Sequence, residues 1–296
     1  MKYEEPDAWS KIYRGYKYRI FPYVGTWLRG TTRLKLYLER KAQERIEKVS
    51  EKDVVPITEL EWDNLIVIDA CRYDVFCRVL EESEEVDNRL RNPDSRYSVA
   101  SCTRDFITKT FSEGDWSDVV YISANPHLDH RMFKELTGRD VEKTFHTVYD
   151  TYRTDWSSEH ETTLPEPVIR DALNAEKLFP KKRKIIHLMQ PHQPFISYEY
   201  DVPIGGISHY IDGIDDPGEW IHAETGKLPH DEIVEGYIEN TELVLDSLVE
   251  LIGSLEGRTI ITSDHGNLVG ENGLYGHPCG SKTVALRKVP LVEIRD

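Results

Sequence analysis

Four short runs of consecutive apolar residues organise the chain. Asn64-Leu-Ile-Val-Ile-Asp69 is apolar at every interior position and ends on a carboxylate. Val119–Ser123, Lys184–Met189 and Arg258–Ser263 repeat the pattern. Continuous rather than alternating apolar character is what a strand covered on both faces requires, so each run predicts a buried strand. Between the runs, apolar residues recur at three- and four-residue spacing over Asp74–Glu82, Arg131–Leu136, Pro167–Leu178 and Asp231–Leu255. That period predicts helices, the last carrying Ile233, Tyr237, Val244, Leu248 and Leu251 on its apolar side. Alternating strands and helices predict an α/β fold with a largely parallel central sheet.

Length and charge sharpen this picture. The 296 residues suit one large domain with a peripheral extension. The extension is expected over residues 1–50 and the main domain over 51–296. Residues 197–230, rich in Gly, Asp, Pro and His, read as an insertion near the site. The formal net charge of −16 argues against a general nucleic-acid surface. Residues 11–46 depart from the rest, with ten Lys or Arg against two acids and interleaved aromatics from Tyr13 to Tyr37. Two readings of that segment stay open: a helical pair packed on the body with its cations snorkelling outward, or a basic surface for peripheral membrane or polyanion contact. No apolar run reaches the ~20 residues of a membrane span, and Met1–Ser10 does not read as a signal peptide. Four cysteines without a Cys-x-x-Cys spacing argue against a structural zinc site and against a disulfide framework. Cytoplasmic residence is the expectation.

In open α/β sheets ligands bind beyond the carboxyl ends of the strands. Three of the predicted strands deliver polar residues to that edge: Asp69 and Arg72, His192, and Asp264 with His265, followed by His277. Each alone has an ordinary role as a cap or a hydrogen-bonding partner. Together, two carboxylates and several imidazoles crowd like charges unless a cation is present, and mixed Asp/His sets suit zinc or manganese.

The segment Thr262-Ser-Asp-His-Gly-Asn-Leu-Val-Gly-Glu-Asn-Gly-Leu-Tyr-Gly-His277 resembles a signature of the alkaline phosphatase superfamily. It is most similar to the branch of sulfatases, lipoteichoic-acid synthases and phosphoethanolamine transferases. Asn64–Asp74 resembles that superfamily's first metal-binding strand end, Ser98–Phe106 its nucleophile segment and His187–Phe195 its histidine loop. The resemblance implies an alkaline phosphatase-like three-layer sandwich with a mostly parallel central sheet. It implies one tightly bound divalent metal, Zn²⁺ or Mn²⁺ ahead of Mg²⁺ or Ca²⁺, on Asp69, Thr103, Asp264 and His265. Thr103 would be the nucleophile, with His192 and His277 holding the anionic group, helping the leaving oxygen or binding a second metal. Arg72 would bind anionic oxygens, or equally form an ion pair with Asp74. The implied activity is hydrolysis or transfer at a phosphate ester or phosphodiester, on an anionic substrate such as a glycan or lipid head group. A sulfate-ester hydrolase and an inactive anionic-glycan binder are the alternatives. Cys102-Thr-Arg-Asp-Phe lacks the Pro and Arg of formylglycine sulfatases, which favours Thr103 over Cys102 and Ser101.

Overall fold

The structure is a computed structural model that describes residues 47–83, 87–196 and 218–295. Residues 11–46 and most of the expected insertion lie outside the described residues. The chain is described from Glu47, and Lys48 bridges to Thr283.

In chain order the principal elements are β1 (Asn64–Asp69), α1 (Tyr73–Glu82), β2 (Asp94–Tyr97), α2 (Thr103–Phe111), β3 (Trp116–Ser123), α3 (His130–Thr137) and β4 (Phe145–Tyr149). They continue with α4 (Pro165–Leu178), β5 (Arg183–Pro191), α5 (His230–Ile252), β6 (Thr259–Ser263) and β7 (Lys288–Ile294). The seven strands form one sheet in the order β2-β7-β6-β1-β5-β3-β4. The strands β6, β1, β5, β3 and β4 run parallel, and β7 pairs antiparallel with both β6 and β2. All four predicted strands are present, and each helical pattern forms a helix.

β1 lies at the centre with every residue buried, as its unbroken apolar run requires. Successive side chains leave opposite faces of a strand, and two cores result. Ile66 and Ile68 join Val120, Ile122, Ile186 and Leu188 under α1, α4 and α5. Leu65 and Val67 join Tyr121, Ile185, Phe106, Phe111 and Phe133 on the other face, beneath α2 and α3. The result is a three-layer sandwich, helices on both faces of a mostly parallel sheet. Each large apolar side chain buried this way contributes about 1.5–3 kcal/mol relative to exposure.

Local signals set several helix ends. Asp129 caps α3 by accepting from Arg131 N and Met132 N, and Gly138 closes it in the left-handed conformation at φ 73°. Pro165 opens α4, where a missing N–H has no consequence. Of the segment 197–230, the helix Gly218–Glu224 and its sequel are described. Trp220, Ala223 and Leu228 pack with Phe195, Ile233 and Tyr237 into a third, smaller core beside the sheet's carboxyl edge.

Candidate active site

β1, β5 and β6 lie side by side, so their carboxyl ends bring Asp69, His192 and Asp264–His265 to one place although the sequence scatters them. The residue after Asp69 is strained. Ala70 has φ 61°, a region unfavourable for any residue with a Cβ. It is held there by its N–H donating to Asp264 Oδ1 (3.0 Å) and by its carbonyl accepting from Tyr237 OH (2.5 Å) and Asn267 Nδ2 (3.3 Å). Beyond β6 the chain passes so near Ala285 that a Cβ on Gly266 would lie 2.4 Å from that residue's carbonyl oxygen. Glycine is needed after His265 for this close approach.

Thr103 opens α2 and is buried. Its Oγ1 lies 3.4 Å from Asp69 Oδ2 and 3.2 Å from His265 Nε2. His265 Nε2 is in turn 3.4 Å from Asp264 Oδ2 and 3.8 Å from Asp69 Oδ1. His265 Nδ1 faces the Gly266 carbonyl at 2.8 Å. A carbonyl only accepts, so Nδ1 carries a hydrogen and Nε2 is the ring nitrogen turned toward the carboxylates.

The two carboxylates share a pattern. Asp264 Oδ1 accepts from Ala70 N and from His265 N, while Asp264 Oδ2 has no hydrogen-bond partner. Asp69 Oδ2 accepts from Asn125 Nδ2 (2.5 Å) and Thr103 Oγ1, while Asp69 Oδ1 has none. Both side chains are fully buried. Each carboxylate thus has one oxygen anchored and one bare oxygen, which is costly without a cation. Burial and the charge of Asp264 push the Asp69 carboxyl well above its usual range. Burial works against the Asp264 charge as well, but His265, His187 and the Ala70 N–H outweigh it and keep that carboxyl low. A divalent ion between the bare oxygens, His265 Nε2 and Thr103 Oγ1 would resolve the conflict, so these donors fit a metal.

His187, in the middle of β5, adds a donor that sequence reasoning passed over. Its Nε2 is buried without a hydrogen-bond partner, 3.7 Å from Asp69 Oδ2, and Asp69, His187 and Asp264 offer donor atoms within 4.8 Å of one another. Burial lowers its pKa to about 4, so it is neutral at pH 7. The available signal was a histidine inside an apolar strand, which needs a polar partner. Asn125, two residues past β3, was also missed. Besides holding Asp69, it accepts from His127 N (2.9 Å) and pairs with His127 Nδ1 (2.8 Å).

His192 and His277 stand over the centre. Their Nε2 atoms are 3.0 Å apart, and the His277 ring centroid is 4.6 Å from that of His265. Arg72 is placed differently from an anion binder. Its guanidinium is taken by Asp74 (2.6 Å), Glu271 (2.5 Å) and the Asn267 carbonyl (3.2 Å), the ion-pair reading left open by the sequence. Cys102 is bonded to Cys279, 177 positions away, a single bridge where the cysteine count had argued against a disulfide framework. Its sulfur is therefore available neither as a nucleophile nor for conversion to formylglycine. Ser101 Oγ donates to the Pro278 carbonyl, so the turn before α2 and the loop after His277 are joined twice.

No family model and no curated protein matches the chain. Solved structures do. The integral membrane lipooligosaccharide phosphoethanolamine transferase A of Neisseria meningitidis is similar at 14% identity and a TM-score of 0.53, over 97% of this chain and 58% of that one. This chain therefore spans little more than half the length of that protein. The C-terminal periplasmic domain of the Escherichia coli transferase EptC, in complex with zinc, is similar at 13% identity and a TM-score of 0.48, covering 79% and 72% of the two chains. The lipoteichoic acid synthase LtaP of Listeria monocytogenes is similar at 11% identity and a TM-score of 0.42, covering 85% and 70%. The fold is an alkaline phosphatase-like α/β fold, which the Neisseria meningitidis structure shares.

One expectation is overturned here. Cytoplasmic residence rested on the cysteine count, but Cys102 pairs with Cys279 in a bond typical of oxidising compartments. Among the described residues no helix is long and apolar enough to cross a membrane.

Proposed function

We propose that this chain is a metal-dependent hydrolase or transferase of phosphate esters or phosphodiesters, with Thr103 as its nucleophile. The observation that carries the reading is the pairing of a buried hydroxyl with two half-anchored carboxylates. Thr103 Oγ1 lies within 3.4 Å of both Asp69 and His265, beside the bare oxygens of Asp69 and Asp264.

Asp69, Asp264, His265 and Thr103 would hold one divalent cation, with His187 as a further donor. Carboxylate and imidazole donors suit zinc or manganese. When bound, such an ion lowers the pKa of the threonine hydroxyl and offsets charge on the ester. The protein's own groups do the rest. Asn125 fixes the orientation of the Asp69 carboxylate by donating to its Oδ2. Thr103, at the start of α2, presents its oxygen to the phosphorus and would carry the phosphoryl group while the first alcohol departs. His192 and His277 would steady a phosphoryl oxygen and supply a proton to the departing oxygen. Water or an acceptor alcohol then releases the group. The substrate would be an anionic ester, such as one in a lipid or glycan head group.

The sulfatase alternative loses its usual oxidised cysteine, because Cys102 is in a disulfide. The test is turnover of aryl phosphate monoesters, phosphodiesters and sulfate esters of one phenol, with zinc or manganese added. Metal-dependent turnover of a phosphate ester, lost in Thr103→Ala, is expected. Turnover of the sulfate ester alone, or full activity of Thr103→Ala, overturns the reading.

A further inference from the structure

A second group of metal-ligating side chains lies beside the candidate centre and shares no residue with it. Cys102 is the extended N-cap of α2, and Asp105 stands three positions on, in the helix's first turn. Cys279 reaches them from the loop after His277. The two sulfurs and a carboxylate oxygen of Asp105 all lie within 4.8 Å of one another. Cys102 is buried, Asp105 is half-buried and Cys279 is exposed. One oxygen of Asp105 is fixed by the Gly280 N–H at 2.9 Å, which leaves the other for a ligand. Ser101 holds the facing loop through Pro278 O (2.8 Å) and Ser281 N (3.0 Å), so the three donors keep their places when the sulfurs part.

We propose that Cys102, Cys279 and Asp105 form a redox-gated site for a thiophilic divalent cation such as zinc or cadmium, closed as a disulfide and open as two thiolates. The donor chemistry sets the class of ion. Two thiolates and one carboxylate select zinc-like cations over magnesium or calcium, with water completing a tetrahedral shell. Donor atoms around such an ion stand about 3–4 Å apart, a spacing the present cluster reaches with small side-chain movement. The chemistry balances simply. A phosphine reductant and one water convert the disulfide into two thiols and the phosphine oxide. Binding one divalent cation then releases both thiol protons. The exposed Cys279 gives the reductant access. The site stands independently of the reaction proposed for Thr103.

Titration of the full chain with cadmium, before and after phosphine reduction, tests this. The reduced protein is expected to take one more equivalent than the oxidised protein and to show an ultraviolet thiolate-to-cadmium charge-transfer band. The candidate centre holds no sulfur donor, so cadmium bound there gives no such band. Cys279→Ser, at an exposed position, should lose both the extra equivalent and the band. Asp105→Asn should keep the band and weaken the extra site about tenfold or more. Equal cadmium uptake by oxidised and reduced protein, or uptake without the band, overturns the proposal. So does unchanged affinity in Asp105→Asn, which would leave the carboxylate no part.

Discussion

His192 and His277 meet Nε2 to Nε2 at 3.0 Å, and the backbone decides which of them donates. His192 Nδ1 lies 2.7 Å from the Gln193 carbonyl and must carry a hydrogen. In the neutral pair His192 Nε2 is therefore the acceptor and His277 Nε2 the donor. The proton between the two rings is therefore carried by His277, which makes it the candidate donor to a departing oxygen. His277→Ala should lower kcat/KM for a phosphodiester with a poor alcohol leaving group by about 10²–10⁴. The loss should be much smaller for a nitrophenol, which departs without a proton. Equal losses for both substrates would remove the proton-donor role.

Thr103→Ala should lower turnover by at least about 10³-fold while metal analysis still finds most of the ion, because three or four other donors remain. Thr103→Ser keeps the oxygen and should keep a measurable part of the rate. Loss of the metal together with activity would make Thr103 a ligand alone.

Two buried carboxylates without a cation oppose each other, and Asp69 bears the cost. Asp69→Asn should therefore raise the melting temperature of the metal-free protein by several degrees. The wild type should gain about 2.7 kcal/mol when zinc reaches a hundred times its dissociation constant, and the variant should gain little. Calorimetry with and without a chelator measures both. A metal-free Asp69→Asn that melts below the metal-free wild type contradicts the account.

His127 is buried against Asn125, and burial, reinforced by the Arg104 charge, lowers its pKa to about 3. In the unfolded chain it titrates near 6.5. Between those values the unfolded state binds a proton that the folded state refuses, so acid erodes stability there. The slope from this residue approaches about 1.4 kcal/mol per pH unit, and nothing is lost above pH 7. His127→Asn removes that slope. Denaturant titrations from pH 7 to pH 4 should show the stability difference between wild type and variant shifting in the variant's favour as pH falls. A constant difference would mean that His127 charges in the folded state.

Lys184 at the foot of β5 pairs with Glu176 of α4 at 2.5 Å, and its side chain is only 2% exposed. Glu176→Ala strands a buried ammonium and should cost about 3–5 kcal/mol. The double change Glu176→Leu with Lys184→Met removes both charges and should recover most of that loss, as read by urea unfolding. A single variant as stable as wild type would show that water reaches the ammonium.

The elements readable from sequence were those whose burial leaves a period. β1 and its parallel neighbours are sealed on both faces, so their apolar runs are unbroken. β2 is a polar edge strand with two exposed residues, and its Asp-Ser-Arg-Tyr carries no such pattern. β7 contains Pro290 and runs antiparallel, and it too escaped notice. In the site, Asp69, His192, Asp264 and His265 were found because they follow strands. His187 sits inside one, and Asn125 earns its place only through the carboxylate it touches. The bridge from Cys102 to Cys279 could not be read at all, since spacing says nothing about a contact across 177 positions.

The hydrogen bond from Ala70 N to Asp264 Oδ1 spans 194 positions. During synthesis the first carboxylate therefore leaves the ribosome long before its counterpart exists, and the intervening strands must be laid into the sheet before the two can meet. Contacts of such high sequence separation form late and together. No nascent or truncated fragment ending before Asp264 can assemble the centre. An ion retained through purification would accordingly serve as a gauge of complete folding, reporting on the whole sheet from a single seat.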